Sequence, residues 1–182
     1  MINLTVIVPF FNEEKTLQQS VDRLLEENIF DEIILSDDNS SDKSVEIAKT
    51  LSNNYENIKY IRSEVNLGKG NAINNAVNIL NTSHVVIHDA DLEYFPKDIV
   101  QMYKEALTNQ NSLILGSRFI GNKERKNVYA RTFIANRVMS IFFSLVNIYW
   151  VSDVATCYKL MPSKFLKEIS IKENGFSIEI EM

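Results

Sequence analysis

An α/β fold with a mostly parallel sheet follows from three features of the sequence. Short apolar, β-branched runs recur five times before residue 117, each of the first four is followed by a helical pattern, and polar residues gather just past the runs. Such alternation places helices on both faces of a sheet through right-handed crossovers.

The first run, residues 3–8, ends at Pro9 and leads through a polar loop to a helical pattern over 16–27, with Leu17, Val21, Leu24 and Leu25 on one face. The alternation repeats as a strand over 32–35 with a helix over 41–51, and a strand over 58–61 with a helix over 69–80. A strand over 85–87 then precedes a helix over 97–107, and a fifth strand spans 113–116. After Arg118 the alternation stops, and a basic stretch leads into a long helical pattern over 128–148. Extended segments over 157–160 and 176–180 are expected around a short helix over 163–169.

The chain has 182 residues, 45% apolar and 24% charged, which suits one globular domain with a sizeable core. It ends inside an expected strand, so residues 1–182 are expected to be a single domain truncated at the C-terminus. A net charge of −5 argues against nucleic-acid binding through a general basic surface. Positive charge is instead concentrated over 116–137, where Arg118, Lys123, Arg125, Lys126, Arg131 and Arg137 face one acid, Glu124.

A single cysteine, Cys157, rules out an internal disulfide framework and suits a reducing compartment, where it is expected as a small buried residue. The apolar N-terminus lacks a basic leader and a small-residue cleavage site, so it is expected to be a strand in a cytoplasmic protein. The apolar stretch 138–151 is interrupted by Ser140, Ser144 and Asn147 and is too short to span a bilayer. It is expected either as a core helix or as an interfacial surface with Tyr149 and Trp150 at headgroup level.

Ligands of open α/β sheets gather beyond the carboxyl ends of the strands. At those ends stand three polar clusters. His88-Asp89-Ala90-Asp91-Leu92-Glu93 follows a β-branched strand, and two carboxylates one residue apart can turn toward one point. Hard oxygen donors of this kind suit Mg²⁺ or Mn²⁺, with further ligands from water and phosphate. In the second cluster, Ser40 or Ser41 is expected to cap the next helix and Asp42 to complement its dipole. The adjacent acids Asp37 and Asp38 repel each other unless a ligand's ribose hydroxyls or base N–H groups bond to them. In the third, Gly68 and Gly70 flank Lys69 at a helix start, which permits close backbone approach and offers positive potential to a phosphate.

Taken in order, VIVPFFNEEKTL, ILSDDNSSD, NLGKGNAINNAV, HDADLEYFP, GSRF, SDVATCYKLMP and GFSIEIE resemble the family 2 glycosyltransferases along the whole chain. The likeness is greatest to the branch that holds dolichol-phosphate mannose synthases and bacterial polyprenyl-phosphate glycosyltransferases. The resemblance implies a GT-A fold that binds a nucleotide-diphosphate sugar. It places Pro9, Asn12 and Glu13 near the donor nucleotide, Asp37 and Asp38 on its base and ribose, and Lys69 and Gly70 nearby. It makes Asp89 and Asp91, with Glu93, the metal and diphosphate site, and it sets Arg118 and Arg131 on an acceptor phosphate. Two departures stand out: Ser36 where a valine is usual, and Asn39 where a glycine is common, although Asn tolerates left-handed backbone angles.

The implied reaction is one in-line displacement at the anomeric carbon, with inversion, in which the metal and Lys69 stabilise the departing nucleotide. A lipid-phosphate acceptor is already ionised and needs no general base; a saccharide hydroxyl needs one, and Asp153 is the candidate, unless it caps or pairs with an arginine such as Arg131. Peripheral contact with the inner face of a membrane is expected with the former. Alternatives are polysaccharide or glycolipid synthesis and a catalytically silent nucleotide-sugar-binding module.

Overall fold

The structure is a computed structural model that describes residues 2–120, 130–169, 175 and 178–182; the side chains of residues 130–133 are not among those described. The expected basic residues Lys123, Arg125 and Lys126 therefore lie outside the described residues, as does the Arg131 side chain.

Strand β1 (Leu4–Phe10) is buried along all seven residues, as a central strand covered on both faces must be. It pairs in parallel with β2 (Glu32–Asp37) on one side and β4 (His84–Ile87) on the other. Beyond β2, strand β3 (Ile58–Arg62) completes the parallel half. On the other side lie β6 (Lys159–Pro162), antiparallel to β4, and then β5 (Ile114–Leu115), antiparallel to β6. The order is β3-β2-β1-β4-β6-β5, so the chain reverses its winding between β1 and β4. That switch point opens a crevice at the strand ends.

The helices follow the apolar periodicity. In α1 (Leu17–Glu26), Leu17, Val21 and Leu24 are buried, and α2 (Ser44–Asn54) buries Ala48 and Leu51. Helix α3 (Lys69–Val77) packs across β1 and β2. It opens at Gly68, whose φ of 105° is open to glycine and strained for other residues. Helix α4 (Pro96–Thr108) begins with a proline whose fixed φ suits the first turn. It packs against β6, as does α6 (Ser163–Glu168).

Several expectations are corrected. Neither Ser40 nor Ser41 caps α2; the helix starts at Ser44, whose N–H and hydroxyl both bond Asp42 Oδ1 at 3.0 and 2.5 Å. Strand β2 runs on to Asp37, because Pro9 and Phe10 remain paired with Ser36 and Asp37. Ile178–Glu181 forms a short helix, α7, and not part of a strand; its first residue, Ile178, is fully buried.

Helix α5 (Ala130–Asn147) has its polarity inverted. Its buried positions include Asn136, Ser140 and Ser144, while Val138, Phe142, Leu145 and Val146 are exposed. The polar stripe is buried because it satisfies the backbone of the following loop. Ser140 Oγ accepts the Val154 N–H at 3.0 Å and Ser144 Oγ accepts the Val151 N–H at 2.9 Å. Among the described residues, no helix is long and apolar enough to cross a membrane.

Candidate functional site

A cleft of about 370 Å³ lies at the β1–β4 switch point, lined by residues from all three polar clusters, among them Pro9, Glu13, Asp38, Lys69, Asp89 and Asp91. The loops that build it are bound to one another. Asn12, at φ 56°, donates its N–H to Ser40 Oγ at 2.9 Å and accepts the Ser41 N–H at 2.8 Å, which ties the β1 loop to the β2 loop. Asn39 sits at φ 67°, so the expected left-handed turn forms without glycine.

The adjacent acids have different surroundings. Asp37 is enclosed: its carboxylate accepts from Ser40 N–H at 2.7 Å and Tyr60 O–H at 2.9 Å and pairs with Arg62 Nε at 3.5 Å. Burial and the bond to Asp37 push the Tyr60 hydroxyl up to about 12. Asp38 accepts from Leu67 N–H at 3.2 Å, Gly68 N–H at 2.5 Å and Asn71 Nδ2 at 3.2 Å, so it fixes the loop that starts α3 while lining the cleft. Protein groups therefore answer the pair's mutual repulsion. Gly68 lines the cleft in place of Gly70, which is buried within α3.

At the end of β4 the chain turns through Leu92 at φ 66°, and the Glu93 N–H bonds Asp91 Oδ1 at 3.0 Å. Asp91 is exposed at the mouth of the cleft. Desolvation by the cleft walls, followed by repulsion from the carboxylates of Asp89, Glu93 and Glu13, pushes it up to about 6. Two carboxylates on the wall of an open cleft fit a hard divalent cation that completes its shell with water and phosphate.

Beneath them, His88 is buried between Ser20 Oγ and the Tyr158 hydroxyl, each 2.9 Å from one ring nitrogen. Desolvation holds it at about 4, so it is neutral near pH 7.

Lys69 does not face a phosphate alone. Its ammonium lies 2.6 Å from Asp89 Oδ1 and 2.8 Å from Glu179 Oε1. Burial would lower the Lys69 pKa, but the carboxylates of Asp89 and Glu179 outweigh it and hold the group well above its ordinary range. Among the described residues, the ligand atoms of Asp89, Cys157 and Glu179 lie within 4.8 Å of one another. Burial keeps the Cys157 thiol protonated. This trio surrounds an ammonium, and the soft sulfur suits neither Mg²⁺ nor Mn²⁺.

Asp153 is paired with Arg118; the other expected partner, the Arg131 side chain, lies outside the described residues. Its oxygens receive Arg118 Nε and Nη2 at 2.9 Å each, the Arg118 backbone N–H at 2.9 Å, and Asn136 Nδ2 at 2.6 Å. Burial would raise its pKa, but the bonds from Arg118 and Asn136 outweigh that and lower it. A carboxylate so engaged is a poor general base. Arg118 Nη2 also bonds the Ala155 carbonyl at 2.7 Å, which commits much of this guanidinium to the protein itself.

Two contributors are not read from the sequence. Glu179 meets Lys69 across 110 residues, a contact that its place in GFSIEIE does not reveal, and the stripe Asn136-Ser140-Ser144 is visible only as a spacing of four.

Known proteins resemble this chain in sequence and in fold. The chain is 28% identical over 180 residues to a UDP-N-acetylglucosamine--dolichyl-phosphate N-acetylglucosaminyltransferase of Methanococcus voltae, covering 91% of this chain and 71% of that one. It is 25% identical over 185 residues to a dolichol-phosphate mannosyltransferase of Pyrococcus furiosus, covering 100% of this chain and 52% of the relative. The crystal structure of glucosyl-3-phosphoglycerate synthase from Mycobacterium tuberculosis with Mn²⁺, UDP and phosphoglyceric acid superposes with a TM-score of 0.73. Identity there is 18%, over 98% of this chain and 62% of that one, so this likeness concerns the fold alone. The family model for glycosyl transferase family 2 matches residues 5–170, nearly the whole span from β1 to the end of α6. The chain belongs to glycosyl transferase family 2 and carries the GT-A fold of its catalytic domains.

Proposed function

We propose that this domain transfers a sugar, with inversion, from a nucleotide-diphosphate donor to a polyprenyl or dolichyl phosphate. The donor lies in the cleft between β1 and β4. Asp89 and Asp91 hold a divalent cation, Mg²⁺ or Mn²⁺, which when bound neutralises charge on the leaving diphosphate. Pro9, Glu13 and Asp38 line the donor cleft, and Asn12 and Asp37 keep its loops in place. An oxygen of the acceptor phosphate attacks the anomeric carbon as the bond to the diphosphate breaks, so the nucleotide leaves and no proton is removed.

The observation that carries the acceptor class is the inverted helix α5, joined by Asn136 to Asp153 and through it to Arg118. An apolar face with Phe142 68% exposed and Ile148 beyond it 94% exposed suits the chains of a lipid surface. Asp153 supports the same class, because its commitment to Arg118 removes the base that a saccharide hydroxyl would need. Arg118 and Arg131 would then position the acceptor phosphate, with Glu93 as a third oxygen donor for the cation.

Incubation with radiolabelled UDP- or GDP-sugars, Mn²⁺ and a polyprenyl phosphate in vesicles tests this reading. Label is expected in the organic-phase glycolipid; label only in a water-soluble saccharide, with polyprenyl phosphate inert, would overturn the lipid-phosphate acceptor.

A further inference from the structure

The buried ammonium beside the cleft is shared by two carboxylates from distant parts of the chain. The Lys69 side chain is 8% exposed, Asp89 19% and Glu179 17%, so this three-residue contact is largely out of water. Asp89 comes from the end of β4, and Glu179 from α7, which is anchored by the fully buried Ile178. A divalent cation at Asp89 meets a carboxylate whose Oδ1 already holds the ammonium, and two cations on one carboxylate repel each other. Glu179 Oε1 lies 2.8 Å from the same ammonium, so this second carboxylate can keep Lys69 when Asp89 takes a cation.

We propose that Glu179 is a positioning residue that holds the Lys69 ammonium, so that Asp89 is free to take the divalent cation and the diphosphate. This rests on the reading that Asp89 and Asp91 bind that cation. Glu179 acts on metal affinity through Lys69 and does not touch the metal. Its effect therefore depends on the lysine, which separates it from a direct ligand and from a general support of the fold.

The test is Mn²⁺ binding, followed by paramagnetic resonance of the free ion with and without UDP or GDP, on wild type, Glu179→Gln, Glu179→Asp, Lys69→Met and the double variant Glu179→Gln/Lys69→Met. Thermal unfolding is recorded for each. Glu179→Gln is expected to weaken Mn²⁺ about tenfold, because the ammonium then leans on Asp89 alone of the pair. Lys69→Met is expected to bind Mn²⁺ at least as tightly as wild type, and the double variant to match Lys69→Met. Glu179→Asp is expected to retain most of the affinity.

An unchanged Mn²⁺ affinity in Glu179→Gln, or an equal loss with and without Lys69, would overturn the proposal. Glu179→Asp decides in the same way if Glu179→Gln fails to fold, since it must then lose less in the Lys69→Met background. If Asp91→Ala binds Mn²⁺ as wild type does, the underlying metal reading fails; if Asp91→Ala loses Mn²⁺ while Glu179→Gln keeps it, only this inference fails.

Discussion

At the end of β2, neighbouring carboxylates divide their work. Asp37 is closed in by Ser40, Tyr60 and Arg62, while Asp38 takes the first N–H groups of the Gly68 turn and still lines the cleft. The sequence shows that two acids stand after a strand, but not that protein groups from residues 60–71 satisfy them, since those contacts form only when β3 and α3 pack beside β2. Leu92 and Asn39 likewise illustrate the limit of local reading. Asn at a left-handed angle is foreseeable, whereas a branched Leu at φ 66° is not, because the turn that presents Asp91 is fixed by its surroundings. His88 carries a prediction at this scale. Folded, it holds at about 4; unfolded, it titrates near its ordinary 6.5. Between those values the unfolded chain binds a proton that the native state does not, so stability falls as pH drops from about 6.5 toward about 4, by up to ~1.4 kcal/mol per pH unit. Asp91 works in the opposite direction, since its folded pKa is raised to about 6, but its exposure leaves that contribution small. Urea midpoints taken from pH 7 to pH 4.5 are expected to decline in wild type and to decline less steeply in His88→Gln. An equal slope in both would exclude His88 as the source.

At the scale of elements, the parallel half of the sheet and its helices are legible because strands of β-branched residues alternate with a 3.6-residue period. The antiparallel direction of β5 and β6 is not, since a four-residue apolar run has the same pattern either way. Helix α7 was also hidden: alternation in SIEI suggests a strand, yet Ile178 is buried and Glu179 reaches Lys69 from a helical turn. Helix α5 is the most informative element. Its apolar residues are too many for one core stripe, and the structure shows the reason, because the core side of the helix is the polar stripe Asn136, Ser140 and Ser144. The spacing of four was present in the sequence, but polar residues are ordinarily read as the solvent side. If the exposed face meets a bilayer, Phe142→Asp with Phe143→Asp is expected to lower binding to anionic vesicles by about tenfold or more, because two aromatic contacts are lost and two charges meet an acidic surface. Vesicle sedimentation measures this, and unchanged binding would remove the bilayer from the account. The unfolding midpoint should barely change, since Phe142 is exposed and Phe143 lies at the edge of exposure.

For the whole molecule, the winding order explains why the site lies where it does. The sheet reverses between β1 and β4, so the loops after β1, β2 and β4 converge on one cleft, and residues from three separated motifs become its walls. The sequence placed these motifs after strands, which was sufficient to locate the cleft. It could not show that Lys69, Asp89 and Glu179 form one charge cluster, because that requires chain segments 110 residues apart to meet. The domain's central property under this account is metal-dependent binding of a nucleotide at Asp89 and Asp91. Titration calorimetry of UDP and of GDP, with and without Mn²⁺, on wild type and Asp91→Ala tests it most directly. Binding of one nucleotide that requires Mn²⁺ and falls at least about tenfold in Asp91→Ala is the predicted result; binding of neither nucleotide in the presence of Mn²⁺, or equal binding by the variant, would contradict it.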